Sequence, residues 1–151
     1  MHSEAAPATA VRVLVVDDSA CARGLIRALI EEAPGLTVCG EAENGRQAVE
    51  QVLALRPDIV TLDLQMPVMD GMAAIEEIMA LRATPILVLS DLADARNAMA
   101  AVARGALEAA HKPGVDDGSA FTAHLKLLAR VPVIRHIRRK SLAAPLDHAP
   151  V

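Results

Sequence analysis

Short apolar runs alternate with longer segments of helical spacing along most of this 151-residue chain, and that alternation is the strongest constraint on its fold. Strands that alternate with helices of 10 to 15 residues predict right-handed crossovers and one parallel sheet with helices on both faces. The apolar runs are residues 11–16, 36–41, 58–63, 85–89 and the weaker 106–110. The helical segments are 20–33, 45–55, 72–82, 93–104 and 119–130, with Leu53 and Leu127 among the inward positions.

The stretch 58–71, which reads DIVTLDLQMPVMDG, is the centre of this pattern. Its first half is typical of a strand buried on both faces, and its second half has the turn residues of a loop. Asp63 lies where the strand gives way to the loop. The carboxyl end of a central parallel strand is where ligands bind in α/β proteins, so Asp63 is a candidate site residue. A simpler interpretation is that its side chain caps the loop by bonding nearby backbone.

Three other strands of the expected sheet also end in polar residues. Asp17 and Asp18 follow the first strand, Ser90 follows the fourth, and Lys112 follows the fifth. Because parallel strands end at the same edge of a sheet, these residues and Asp63 are expected to converge on one crevice.

Carboxylates that lie close together oppose one another's ionisation, so a cation is expected among them. Mg²⁺ takes oxygen ligands, usually one or two carboxylates together with water and phosphate. Asp17 and Asp18 suit that metal role, which leaves Asp63 as a nucleophile toward a phosphoryl group. Lys112 and Ser90 are placed to bind the phosphoryl oxygens.

These motifs, in this order, resemble the receiver domain of two-component response regulators over residues 11–130. The resemblance implies a doubly wound, flavodoxin-like fold with five parallel strands in the order 2-1-3-4-5. It also implies that Asp63 accepts a phosphoryl group from a histidine kinase. Mg²⁺ would then be held by Asp18, Asp63 and the Gln65 carbonyl, with Asp17 acting through water. Within the family, the chain is most similar to the regulatory half of chemotaxis protein-glutamate methylesterases.

The chain departs from the family pattern at Ala109, where an aromatic residue usually lies three positions before the lysine. We therefore do not expect the usual coupling between Ser90 and a movable aromatic ring. We expect output to pass through the loop after Ser90 and the 93–104 helix, and a partner to bind the face between the fourth and fifth helices. The resemblance also implies a cis bond between Lys112 and Pro113.

Composition excludes several classes of function. The net charge is −4 and Phe121 is the only aromatic residue, which disfavours binding to nucleic acid. No apolar run reaches the ~18 residues of a membrane span, and the N-terminus lacks the pattern of a signal peptide. Cys21 and Cys39 show no metal-binding spacing, as in a reduced cytoplasmic protein. A cytoplasmic location is therefore expected, with the basic residues at 135–140 forming a solvated linker edge.

Three regions are expected: a flexible N-terminal tail (1–10), the receiver domain (11–130) and a linker or C-terminal tail (131–151). No GxSxG-like nucleophile turn follows a strand, so a methylesterase half is not expected within this chain and the domain itself is not expected to be an enzyme. A receiver-like module that binds a partner without phosphorylation remains an alternative. A phosphatase of the aspartyl-nucleophile type would need an acidic residue at Gln65 and is disfavoured.

Overall fold

The computed structural model describes residues 10–66, 68–90 and 95–133. Five strands alternate with five helices, which confirms the alternation predicted from the apolar runs. The expected tail before Ala10 and the expected linker beyond Val133 lie outside the described residues. The elements are β1 (Val11–Val16), α1 (Ala20–Glu31), β2 (Leu36–Ala42), α2 (Gly45–Leu55), β3 (Ile59–Asp63), α3 (Gly71–Leu81), β4 (Ile86–Ser90), α4 (Ala95–Ala103), β5 (Glu108–His111) and α5 (Gly118–Leu128), with a 3-10 turn at Val115–Asp117.

All strand pairs are parallel, and the sheet has the order β2-β1-β3-β4-β5. The flavodoxin-like, doubly wound sheet implied by the resemblance is therefore confirmed. β3 lies at the centre and all five of its residues are buried. This position explains why Ile59, Val60 and Leu62 are all apolar, because a strand covered on both faces has no side chain that must meet water.

Two apolar clusters lie on opposite faces of the sheet. Successive strand residues point to opposite sides, so Val13 and Val15 join the cluster under α1 and α5, whereas Leu14 and Val16 join the cluster under α2, α3 and α4. The sheet is thus covered on both faces, and its carboxyl edge is left to the loops.

Three helices begin at residues whose side chains satisfy the first free amides. Ser19 accepts from the Ala22 N–H at 3.1 Å, Asn44 from Gln47 at 2.9 Å, and Asp70 from Ala73 at 2.9 Å. The cap predicted at Asn44 is confirmed. Each cap lies in a loop at the carboxyl edge, so the same loops that start the helices also shape the crevice.

Two predictions about inward-facing residues are wrong. Leu53 is 45% exposed and Leu127 is 67% exposed. On α4, Met99 and Val102 share one face, but that face is also exposed, and Ala101 occupies the inward position at 0% exposure. Helical spacing identifies which residues share a face, but only the neighbouring elements decide whether that face is covered.

Among the described helices, none has the length and apolar character needed to cross a membrane.

Candidate functional site

The acidic turn after β1 is held by backbone hydrogen bonds. The Asp17 N–H donates to the Ala42 carbonyl at 3.0 Å, which continues the pairing of β1 with β2 by one residue. The Ser19 N–H donates to Asp17 Oδ1 at 2.9 Å. Asp17 is only 1% exposed, whereas Asp18 is exposed. The turn therefore presents one buried and one accessible carboxylate.

Asp63 is the last residue of β3 and is 9% exposed. Its Oδ1 accepts from the Gln65 N–H at 3.3 Å, so the loop-capping interaction considered from the sequence does exist, as a long hydrogen bond. Its Oδ2 lies 3.8 Å from the Lys112 ammonium. One carboxylate oxygen thus serves the loop and the other faces the crevice.

Asp17, Asp18 and Asp63 form a cluster in which one carboxylate oxygen from each residue lies within 4.8 Å of the others. All three donors are hard carboxylate oxygens, the ligand type that Mg²⁺ prefers over nitrogen or sulfur. The donor set therefore fits a hard divalent cation.

Lys112 brings the compensating positive charge. Its Nζ is 2.8 Å from Asp17 Oδ2, closer than to Asp63, and its side chain is only 16% exposed. The Lys112 N–H donates to the Ser90 carbonyl at 3.0 Å, so the ends of β4 and β5 are joined at the site. The prediction of a cis peptide bond before Pro113 is wrong, because every peptide bond among the described residues is trans. Trans is the lower-energy form of a bond before proline by about 0.5–1 kcal/mol.

Burial is the main cause of a raised pKa at Asp63, because a carboxylate loses hydration there. The Gln65 N–H and the Lys112 charge lower that pKa, and the charges of Asp17 and Asp18 raise it further. The net shift is upward. A cation bound among the three carboxylates would oppose the shift by favouring the ionised form.

Two glycines allow the loop after β3 to fold back beside Asp63. The Gly71 N–H donates to the Leu64 carbonyl at 2.8 Å, and a Cβ on Gly71 would lie 2.6 Å from Leu64 Cα. The Gly45 N–H donates to the Met69 carbonyl at 2.8 Å, and a Cβ there would lie 2.3 Å from that oxygen. Any larger residue at these positions would push the loop away from the sheet edge.

The structure brings the predicted polar residues to one edge of the sheet. Asp17, Asp18, Asp63 and Lys112 are linked by the distances above, and Ser90 is joined to Lys112 through its backbone. Gln65 is exposed beside them.

The sequence interpretation missed Arg23. Its Nη1 donates to the Asp17 carbonyl at 2.7 Å. The signal available was its place one turn after the α1 cap, where a side chain leans back toward the N-terminus of the helix.

Ala109, at the departure from the family pattern, is half-buried and packs against the cluster under α2, α3 and α4.

Curated relatives of this chain include protein-glutamate methylesterase/protein-glutamine glutaminases. A relative from Paramagnetospirillum magneticum, protein-glutamate methylesterase/protein-glutamine glutaminase 3, is 44% identical over 147 residues. The alignment covers 93% of this chain but 41% of the relative, so the chain spans about two fifths of that protein's length. A protein-glutamate methylesterase/protein-glutamine glutaminase from Alkalilimnicola ehrlichii is 56% identical over 82 residues, which cover 54% of this chain and 21% of that protein.

Two solved structures show the same fold, and the match covers nearly all of each of those chains. The response regulator domain of Thermotoga maritima CheB superposes with a TM-score of 0.76 at 30% identity, over 82% of this chain and 98% of that domain. A chain in the structure of the P1 domain of CheA3 in complex with CheY6 from R. sphaeroides has a TM-score of 0.70 at 30% identity, over 82% and 99% of the two chains. The family described as the response regulator receiver domain matches residues 13–126. With a family match over most of its length and the acidic edge in place, this chain belongs to the response regulator receiver domain family.

Proposed function

We propose that this chain is the phosphoacceptor domain of a chemotaxis-type two-component system and receives a phosphoryl group from a sensor histidine kinase on Asp63. The observation that supports this most directly is the cluster of Asp17, Asp18 and Asp63 within 4.8 Å, with the Lys112 ammonium beside it. The cluster contains a nucleophile, a cation site and a positive charge for the incoming phosphate.

In the proposed reaction, an Asp63 carboxylate oxygen attacks phosphorus while the bond from phosphorus to the kinase histidine nitrogen breaks. An acyl phosphate forms on Asp63, and the electron pair of the broken bond stays with the histidine. Lys112 is close enough to Asp63 to pair with a phosphoryl oxygen once it arrives. The Ser90 hydroxyl, at the end of the adjacent strand, donates to another of these oxygens.

We propose Mg²⁺ as the cofactor of this site. Asp18, Asp63 and the Gln65 carbonyl would hold it, and Asp17 would act through a bound water. The bound Mg²⁺ would neutralise negative charge on the phosphoryl group during transfer. The exposure of Asp18 and the burial of Asp17 agree with a direct role for the first and an indirect role for the second.

We also propose the type of effector that this domain controls. The similarity to methylesterases over two fifths of their length favours a regulatory domain whose natural partner is a methylesterase domain. We propose that this domain signals through its own phosphorylation and dephosphorylation, and that the face between α4 and α5 binds the effector. The solved complex of CheA3 P1 with CheY6 supports a kinase domain of that type as the phosphodonor partner. We infer a cytoplasmic location, where such kinases present their phosphohistidine.

A receiver-like module that works without phosphorylation is the competing interpretation. Such a module would be expected to lack one of the acidic residues or the lysine. The presence of Asp17, Asp18, Asp63 and Lys112 around one crevice favours the phosphoacceptor instead.

The test uses beryllofluoride, which mimics the acyl phosphate, together with Mg²⁺. In ¹⁵N-resolved NMR spectra we expect backbone shifts around Asp63, Ser90 and Lys112 on its addition, and no such shifts in Asp63→Asn. Asp70→Asn is a matched control, because Asp70 is a carboxylate of the same loop that caps α3. It should respond as the wild type does. An equal response in Asp63→Asn would reject Asp63 as the phosphoacceptor.

A further inference from the structure

The Asp17 carbonyl lies just beyond the last residue of β1, where the sheet ends. Buried backbone oxygens need a donor, and here the donor is a side chain, since Arg23 Nη1 lies 2.7 Å from the Asp17 oxygen. Arg23 is in the first turns of α1, and its own N–H donates to the Ser19 carbonyl at 2.9 Å. Side chains on a helix lean toward its N-terminus, which explains how Arg23 reaches back over the acidic turn.

The Arg23 guanidinium is itself held in place from the neighbouring strand. Its Nε donates to Glu41 Oε1 at 3.0 Å, and the Arg23 side chain is 18% exposed. Glu41 lies in register with Val15, whose side chain faces the α1 side of the sheet. One rigid, planar group thus connects β2, α1 and the backbone of the turn that carries Asp17 and Asp18.

Glu41 stays ionised despite its partial burial. Burial raises its pKa, but hydrogen bonds from Arg27 and Arg23 outweigh that effect, and the net shift is downward. The Arg23–Glu41 pair is therefore a charge-assisted contact with a fixed geometry, which makes Arg23 a rigid donor to the Asp17 carbonyl.

We propose that Arg23 is a positioning residue of the cation site: held by Glu41, it keeps the Asp17–Asp18 turn in the conformation that binds the divalent cation. This inference rests on the proposed function and deepens it. Arg23 does not contact the carboxylate oxygens of the acidic cluster, those of Asp63 included. It acts through its hydrogen bond to the Asp17 carbonyl. Groups that orient metal ligands in this indirect way typically change metal affinity by about 10-fold to 100-fold when removed.

A role for Arg23 through its charge and a role through its position predict opposite changes in cation affinity when Arg23 is replaced. The guanidinium is positive, so if Arg23 acted only by its charge, its removal would strengthen the binding of a cation nearby. If Arg23 positions the turn, its removal weakens that binding. The sign of the change in Mg²⁺ affinity therefore separates the two roles.

The experiment compares Arg23→Gln with Arg27→Gln. Arg27 lies one turn further along α1 and pairs with the same Glu41 and with Glu31, but it makes no contact with Asp17. Mg²⁺ titration followed by NMR shifts should show affinity about tenfold lower in Arg23→Gln and within twofold of wild type in Arg27→Gln. Arg23→Lys keeps the charge without the planar fork and should restore only part of the loss.

A second measurement needs no metal. The Ser19 N–H, bonded to Asp17 Oδ1, should exchange its hydrogen faster in metal-free Arg23→Gln than in wild type or Arg27→Gln. Urea unfolding of each variant corrects for any global loss of stability. Unchanged or higher Mg²⁺ affinity together with unchanged Ser19 exchange would overturn the proposal.

If the proposed function is wrong, these experiments give a different set of results from those expected if only the role of Arg23 is wrong. Asp18→Ala removes a proposed ligand, so it should lose Mg²⁺ binding whether or not Arg23 positions the turn. If wild type binds no Mg²⁺, the cation site fails, while Ser19 exchange in Arg23→Gln still decides whether Arg23 holds the turn.

Discussion

Val68, in the loop that follows Asp63, has a backbone conformation that residues branched at Cβ rarely adopt. Its φ is 69°, in the left-handed region, and its side chain is 77% exposed. The left-handed region costs about 1–2 kcal/mol for residues that carry a Cβ. Little apolar packing offsets that cost, since most of the side chain meets water. Val68 is therefore a position where the loop stores strain close to Asp63.

Val68→Gly should raise the free energy of unfolding by about 0.5–1 kcal/mol, because relief of strain exceeds the extra chain entropy of glycine. Urea unfolding measures it. Val115→Gly is the matched control, since Val115 is 72% exposed but lies in the 3-10 turn without a positive φ. It should lower stability. Equal losses in both variants would show that Val68 carries no strain.

β3 illustrates what happens at the scale of one element. Because it lies between β1 and β4 and is covered on both faces, each polar group on it needs a partner or pays for its desolvation. Asp63, at its end, has Lys112 and the Gln65 N–H. Thr61, in its middle, is 1% exposed, and its hydroxyl oxygen has no hydrogen-bond partner among the described residues.

Thr61→Val should therefore raise stability by about 1 kcal/mol, since it replaces an unpaired buried hydroxyl with a methyl group of similar size. Thermal unfolding of the variant is the measurement. Thr84→Val is the control, because Thr84 is 3% exposed and its hydroxyl donates to the Arg82 carbonyl at 2.8 Å. That variant should lose about 1 kcal/mol. A loss of stability in Thr61→Val would indicate that Thr61 does make a hydrogen bond.

At the scale of the whole molecule, we expect the acidic edge to make the free energy of unfolding depend on pH and on Mg²⁺. The folded state raises the pKa of Asp63, so between the unfolded and folded pKa values the folded chain binds more protons than the unfolded chain. The stabilisation that protonated Asp63 contributes is fully present below its unfolded-state pKa of about 3.9. It is lost as the pH rises through the pKa of Asp63 in the folded state.

Metal-free Asp63→Asn should therefore be more stable than wild type at pH 7, and the difference should shrink as the pH falls toward about 4. Urea unfolding across this range measures both proteins. Asp116→Asn removes the same charge from an exposed position and should show no such pH-dependent gain. Saturating Mg²⁺ should stabilise wild type more than Asp63→Asn. A difference that is constant with pH would mean that Asp63 is not the source.

The polar residues at the sheet edge were accessible from sequence for a local reason. Apolar runs followed by turn residues mark the strand ends, and parallel strands must end at one edge, so Asp17, Asp63 and Lys112 had to meet. The order of the strands in the sheet was predicted instead from the resemblance to a family, because periodicity does not show which strands are neighbours.

The sequence by itself determined the alternation of elements, the cap at Asn44 and the set of polar residues at the sheet edge, since these depend on near neighbours in the chain. Tertiary structure alone decided that Leu53 and Leu127 are exposed, because helical spacing does not show which face another element covers. It also decided that Arg23 reaches the Asp17 carbonyl with Glu41 behind it. That contact joins residues from three elements, and its geometry exists only once α1 packs on the sheet.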